Sequence, residues 1–186
     1  MKKTIIITVL TLAFFLFGTG LDAGCPKSNK ITAMTSGMDS FKAVQPLDFS
    51  KITSAGALSD KAGTKLQVCL SNGNFTTEQM ANSFVLPIKQ KSEFIAVLNF
   101  SNARQPITAG KYSPAAGYGK PFRVTAEVKV HKGEKGVIVS LGVVEGTAEI
   151  LEMTDTTVCG TFNVKNKKGD STLAGEFNLK LEKSRW

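Results

Sequence analysis

The chain is poor in the residue types on which most catalytic and metal centres depend. Its 186 residues include one histidine, three cysteines and one tryptophan. A hydrolytic triad needs a base, and His131, the only candidate, stands beside Lys129 and Lys132 on the polar face of a predicted strand. Cysteine and histidine are not spaced for zinc or copper, acidic residues form no calcium loop, and no glycine-rich phosphate loop is present. The sequence therefore predicts no catalytic residue, no metal site and no cofactor.

The sequence also lacks runs in which basic and aromatic residues alternate, so nucleic acid is not an expected partner. The formal net charge is nonetheless +8. The lysines that produce it are scattered, which is typical of a solvated surface. A basic exported protein can also lie against anionic lipid or bind an anionic polysaccharide.

Residues 1–24 have the organisation of a secretory signal peptide. Lys2 and Lys3 form a positive start, and residues 4–17 form an uncharged, mostly apolar stretch of fourteen residues. That stretch is shorter than the roughly 20 residues that a membrane span requires. We therefore expect export to the periplasm or the cell surface, with an uncleaved anchor as the alternative.

The end of this segment, Leu21-Asp22-Ala23-Gly24-Cys25, is similar to a bacterial lipoprotein box. Ala23, Gly24 and Cys25 match its last three positions, whereas Leu21 lies one residue too early and Asp22 takes its place. The pattern predicts lipidation of Cys25 and anchoring to a membrane. Conventional cleavage after Ala23 or Gly24 is the alternative.

Cysteine pairing follows from the odd number of cysteines. If Cys25 carries lipid, Cys69 and Cys159 remain, and both lie on the polar face of strand-like stretches. In an oxidising compartment we expect them to form a disulfide, which would require that their strands be close. Two independent free thiols are the alternative.

Residues 25–46 lack periodicity and predict a tether, and residues 47–186 predict a single domain. Short strand patterns recur through this domain at 65–71, 84–88, 93–100, 107–112, 122–131, 137–144 and 147–153. Thr76 and Gln79 have the spacing of a capping box, which predicts one short helix to about Asn82. We expect an all-β fold, either an antiparallel sandwich of immunoglobulin-like or related type or a closed barrel, with the last five strands as a meander.

The C-terminal residues contain an internal duplication that predicts a β-hairpin. Gly160-Thr161-Phe162-Asn163 recurs fifteen residues later as Gly175-Glu176-Phe177-Asn178. Pairing Phe162 with Gly175 and Phe177 with Gly160 would lay each ring over the opposite glycine. This register leaves a loop over residues 167–170, and it is preferred to one that places the two glycines opposite each other.

Residues 110–121 could form a recognition loop, because they contain both tyrosines of the protein. Lys111, Tyr112, Tyr118 and Lys120 offer stacking faces, hydroxyl groups and positive charge, which suit a sugar or an anionic ligand. A long connection between strands with incidental tyrosines is the alternative.

The lipobox-like start, the polar tether and the closing Gly-Thr-Phe-Asn and Gly-Glu-Phe-Asn pair resemble small bacterial envelope lipoproteins of unassigned function. The resemblance implies a surface or periplasmic β-domain and supplies no catalytic residue. We expect a non-enzymatic binding or scaffolding role, with a membrane and an anionic polysaccharide or envelope protein as partners. The alternative is a secreted hydrolase that acts on envelope polysaccharide through paired carboxylates.

Overall fold

The computed structural model describes residues 24–34, 47–82, 87–132 and 135–184. The predicted signal peptide lies outside these residues, apart from Gly24. Among the described residues, no helix has the length and apolarity needed to cross a membrane.

The described residues form ten strands and one short helix, and the ten strands belong to one sheet. The strands are β1 (Lys30–Met34), β2 (Ser54–Ser59), β3 (Lys65–Ser71), β4 (Phe94–Ser101), β5 (Gly110–Tyr112), β6 (Arg123–Lys132), β7 (Lys135–Ser140), β8 (Val143–Met153), β9 (Thr157–Asn166) and β10 (Thr172–Lys183). The helix, α1, spans Thr77–Ala81. The all-β prediction with at most one short helix is confirmed.

The strands form a curled open sheet in the order β5-β8-β9-β10-β2-β3-β4-β6-β7, with β1 also paired to β10. All of these pairs are antiparallel except β10 with β2. The arrangement is therefore a half-barrel rather than the predicted pair of facing sheets. Its curl lets the two-residue connection Leu141-Gly142 run from β7, at one end of the order, to β8 near the other end.

The prediction that the last five strands form one continuous meander is wrong at a single point. β6 pairs with β7, and β8 pairs with β9 and then β10, but β7 and β8 do not pair. The remaining strand patterns are matched within a few residues, except at 84–88. Residues 84–86 of that stretch lie outside the described chain, and Pro87 and Ile88 belong to no strand.

The core fills the inside of the curl, and strand alternation directs apolar residues into it. On β3, Leu66, Val68 and Leu70 are buried inside, while the intervening Gln67 and Cys69 face outward. A second, smaller apolar cluster lies on the outer face under α1. The helix starts as predicted: Thr76 Oγ1 accepts from the Gln79 N–H, and Gln79 Oε1 accepts from the Thr76 N–H.

The predicted register of the closing hairpin is confirmed. In the β9–β10 pair, Phe162 lies opposite Gly175 and Phe177 lies opposite Gly160. The Asn166 N–H donates to the Ser171 carbonyl at 3.0 Å, which leaves residues 167–170 as the loop. The inward faces of both strands pack into the main core.

Within the tether predicted over residues 25–46, residues 30–34 form a strand. β1 runs antiparallel to the first part of β10, from Lys30 opposite Glu176 to Met34 opposite Thr172. The backbone of this segment pairs with a strand edge, and its lack of hydrophobic periodicity did not prevent that pairing. Residues 35–46 lie outside the described chain. We call residues 24–34 the N-terminal strap.

The predicted Cys69–Cys159 disulfide is wrong. Cys159 is bonded to Cys25, with a Cα–Cα distance of 5.5 Å, and Cys69 is a free, buried thiol. Two strands, β10 and β2, lie between the strands that hold Cys159 and Cys69. Three strand spacings amount to roughly 14 Å, and a disulfide tolerates Cα separations of at most about 7 Å.

The same bond competes with the predicted lipidation of Cys25, which stays a prediction. A lipid thioether and a disulfide use the same sulfur atom, so a chain with the Cys25–Cys159 bond has no Sγ left to acylate. The lipobox-like residues end on the cysteine that forms this bond, and its partner lies 134 residues away along the chain.

Candidate ligand-binding pocket

The outer face of the sheet carries two neighbouring rows of polar side chains across β3, β4 and β6. The antiparallel register aligns Gln67 with Asn99 and Asn99 with Thr125. Two residues further along each strand, the same register aligns Lys65 with Ser101 and Ser101 with Arg123. Residues two apart on a strand share a face about 6.6 Å apart, so the two rows form one polar patch.

An amide pair lies at the centre of this patch. Gln67 Nε2 donates to Asn99 Oδ1 at 2.9 Å, and both side chains are part-buried. Among the described residues, Gln67 Oε1 and Asn99 Nδ2 have no further hydrogen-bond partner. The pair therefore presents one free acceptor and one free donor side by side.

The patch forms the floor of a pocket of about 480 Å³. This volume falls within the usual range for small-molecule sites, roughly 300–1,000 Å³. The lining combines the two polar rows with the end of β2, the β2–β3 turn, the loop after β5 and the residue after β10: Leu58, Ser59, Asp60, Lys65, Leu66, Gln67, Asn99, Phe100, Ser101, Tyr118, Arg123, Thr125 and Ser184.

Tyr118 lines one side of the pocket and lies beside Arg123. The tyrosine side chain is 94% exposed, an unusual state for a ring of that size. The Arg123 guanidinium carbon lies 5.8 Å from the centre of the ring, within the distance of a cation–π contact. Most of the ring surface is therefore free to contact a ligand.

The charge of the pocket is mainly positive. Lys65 and Arg123 contribute two cations, and Asp60 is the single acidic residue among the described residues of the lining. Both Asp60 oxygens are already engaged, because Oδ1 accepts from the Lys65 N–H at 3.0 Å and Oδ2 from Thr64 Oγ1 at 2.8 Å. The carboxylate therefore stabilises the β2–β3 turn, and the pocket favours an anion.

Of the four residues predicted to form a recognition loop, Tyr118 alone lines the pocket. Tyr112 is fully buried, and its hydroxyl donates to the Thr108 carbonyl at 2.9 Å. Burial raises the pKa of the Tyr112 hydroxyl, so this side chain belongs to the core. Lys111, on β5, and Lys120, in the loop, are exposed and do not line the pocket.

The outer face continues from the pocket to a region that α1 covers. Cys69 is buried there with Met80 and Ile95, and burial raises the pKa of its thiol to about 12. Lys129 is also fully buried, and its ammonium group donates to the carbonyls of Met80 and Asn82 at the end of α1. Burial lowers the pKa of Lys129 and raises that of the neighbouring Glu127.

Sequence reasoning missed most of the pocket, including Lys65, Gln67, Asn99 and Arg123. A usable signal was present, since Gln67 and Asn99 each place a carboxamide on the outward phase of an otherwise apolar strand. The pairing of β3 with β4 and its register, which bring the two amides together, cannot be obtained from either strand alone.

Comparison with known proteins finds no matching family model, no matching curated protein and no matching solved structure.

Proposed function

We propose that this chain is an exported, non-enzymatic β-domain that binds an acidic saccharide in the pocket between the outer face of the sheet and Tyr118. The observation that carries the proposal is the Gln67–Asn99 amide pair, bordered by Arg123 and an exposed aromatic ring. Each part of the pocket corresponds to one chemical feature of such a ligand.

The amide pair would bind hydroxyl groups. Gln67 Oε1 can accept and Asn99 Nδ2 can donate, so two adjacent sugar hydroxyls could each make one hydrogen bond to the pair. The two amide side chains are held in place by the 2.9 Å hydrogen bond from Gln67 Nε2 to Asn99 Oδ1. Little side-chain freedom then remains to be lost when a ligand binds, which favours affinity.

The cationic row would bind the acidic group of the ligand. Arg123 and Lys65 lie on the row next to the amide pair, about 6.6 Å along the strands. A carboxylate or sulfate on a sugar ring that contacts the amides can reach this row. Arg123 offers a planar fork of N–H donors, which suits two parallel hydrogen bonds to such a group.

Tyr118 would supply the stacking surface. Its ring is exposed, lies beside the guanidinium group and presents an apolar face to the pocket. Aromatic faces pack well against the C–H surface of a sugar ring, while the charged and amide groups select for its polar substituents.

Export is supported by the Cys25–Cys159 disulfide and by the signal-like residues 1–24. Stable disulfides persist in oxidising compartments such as the periplasm. Because Cys25 is disulfide-bonded, we propose conventional signal cleavage before it rather than lipid anchoring.

The hydrolase alternative has less support at this pocket. A mechanism with paired carboxylates needs two acidic groups about 5–10 Å apart across the scissile bond. Within the described residues, the pocket lining contains only Asp60, and its oxygens are occupied by the turn.

Calorimetric titration with trigalacturonic acid and with the neutral galactose trisaccharide tests the proposal. At about 0.15 M salt, where exposed charges are screened beyond about 8 Å, the acidic ligand should bind more tightly. Arg123→Gln should weaken its binding by about tenfold or more, whereas Arg104→Gln, the same charge change at an exposed site outside the pocket, should not. Equal effects of the two variants, or no binding of either trisaccharide, would overturn the proposal.

A further inference from the structure

A second group of reactive side chains lies away from the pocket, where the N-terminal strap crosses β8 and β9. It consists of Cys25, Glu152 and Cys159, whose ligand atoms all lie within 4.8 Å of one another. Glu152 and Cys159 are cross-strand partners, and the strap brings Cys25 onto them. No spacing pattern could reveal this cluster, because Cys25 and Glu152 are 127 residues apart.

The strap is fixed to the sheet by contacts that do not involve the disulfide. The Asn178 backbone N–H donates to Asn29 Oδ1 at 2.8 Å, and Asn178 Nδ2 donates to the Pro26 carbonyl at 2.9 Å. Lys30 and Glu176 form an ion pair at 2.9 Å. These contacts would keep Cys25 above Cys159 when the disulfide is opened.

The carboxylate of Glu152 lies next to the disulfide but is not needed to form it. Its Oε2 lies 3.6 Å from Cys25 Sγ. A disulfide sulfur has no hydrogen to donate, so this contact is not a hydrogen bond in the oxidised protein. Reduction would leave two thiols next to the carboxylate, and both can lose their protons to a metal ion that binds them as thiolates.

We propose that Cys25, Cys159 and Glu152 form a zinc site when the disulfide is reduced. Two thiolates and one carboxylate are ordinary Zn²⁺ ligands, with Zn–S distances of about 2.3 Å and Zn–O distances of about 2.0–2.2 Å. Three protein ligands leave the fourth tetrahedral position to water. The Cα–Cα distance of 5.5 Å lets the two sulfurs separate by side-chain rotation alone.

The disulfide is converted to the metal-bound form in two steps. A dithiol reductant gives two electrons and two protons to the Cys25–Cys159 bond and becomes a disulfide itself. Zn²⁺ then binds the two sulfurs as thiolates, and their two protons pass to solvent. The strap is thus held to β9 by a covalent bond in the oxidised state and by a metal in the reduced state.

Titration of the reduced full chain with Co²⁺ and then Zn²⁺ tests the proposal. One Co²⁺ per chain should produce the near-ultraviolet thiolate charge-transfer band, which Zn²⁺ should abolish by displacement. Cys25→Ser and Cys159→Ser should remove the band, and Glu152→Gln should weaken binding by about tenfold. Glu152 is exposed, so this last variant should keep its fold.

Cys69→Ala serves as the matched control, because Cys69 is the third thiol and lies buried elsewhere. The charge-transfer band and the Co²⁺ affinity of Cys69→Ala should equal those of the wild-type chain. Absence of a one-to-one thiolate band in the reduced protein would overturn the proposal. Equal metal binding by the oxidised protein or by Cys25→Ser would overturn it as well.

Discussion

The ring of Phe177 lies over Gly160 across the β9–β10 pair, and a β-carbon at Gly160 would stand 2.8 Å from the Phe177 Cζ. The relationship is repeated at the other end of the hairpin, where Phe162 lies over Gly175. A glycine in a strand leaves a gap in side-chain packing, and a ring from the opposite strand fills it. The duplicated motif therefore encodes its own register.

Gly160→Ala should destabilise the protein by on the order of 3 kcal/mol. The added methyl group would collide with the Phe177 ring and also with the Glu149 carbonyl oxygen of β8, which is backbone and cannot rotate away. Guanidinium unfolding measures the loss. Gly117→Ala is the control, since its methyl group would meet Lys120 at an ordinary 3.7 Å. Equal stability of the two variants would show that the glycine is not required.

Removal of the Cys25–Cys159 disulfide should lower the free energy of unfolding by about 3–5 kcal/mol. The bond closes a loop with a sequence separation of 134, for which the chain-entropy model gives about 5 kcal/mol. Oxidised Cys25→Ser and reduced wild type should unfold at the same denaturant concentration. Unfolded, unreduced wild type should contain one reactive thiol, that of Cys69, and three reactive thiols would contradict the pairing.

Stability should fall at alkaline pH because of Cys69. Burial raises the pKa of this thiol from 9.0 to about 12, so the folded state keeps a proton that the unfolded chain loses near pH 9. Between these values the folded state binds more protons, and the free energy of unfolding falls by about 1.4 kcal/mol per pH unit. Denaturant titrations from about pH 8 to about pH 10.5 should show a shallower fall in Cys69→Ala. Parallel slopes would exclude Cys69 as the cause.

The two tyrosines should respond to substitution in opposite ways. Tyr118→Ala should leave the melting temperature unchanged, because the ring is 94% exposed, and should weaken saccharide binding. Tyr112→Phe should lose about 1 kcal/mol of stability with its hydrogen bonds to Thr108, and should bind the saccharide normally. Thermal unfolding and calorimetry separate the two effects, and a destabilised Tyr118→Ala would contradict the assignment.

Local patterns predicted the parts of the fold that depend on neighbouring residues. The capping box of Thr76 and Gln79 and the hairpin register of Phe162 and Phe177 both arise from short stretches whose chemistry is self-contained. β1 gave no such pattern, since its pairing uses backbone groups that any sequence offers to an open strand edge.

Long-range relationships explain what the sequence could not predict. The prediction that Cys69 and Cys159 lie on outward strand faces was correct. However, α1 covers Cys69 and the N-terminal strap covers Cys159. Two strands separate β3 from β9 in the sheet, so the two cysteines lie far apart. The pocket depends in the same way on the register of β3, β4 and β6. The predicted loop residue Tyr118 lines it from the loop after β5, beside Arg123.

Side-chain amide signals in ¹⁵N-correlated NMR spectra test the proposed binding most directly. During titration with trigalacturonic acid, the NH₂ signals of Gln67 and Asn99 should shift together. The dissociation constant fitted to these shifts should equal the one measured by calorimetry. The signals of Asn163 and Asn178, on the separate outward face of β9 and β10, should stay in place. Shifts confined to backbone signals outside β3, β4 and β6, or unchanged Gln67 and Asn99 amides at saturation, would contradict a saccharide site in this pocket.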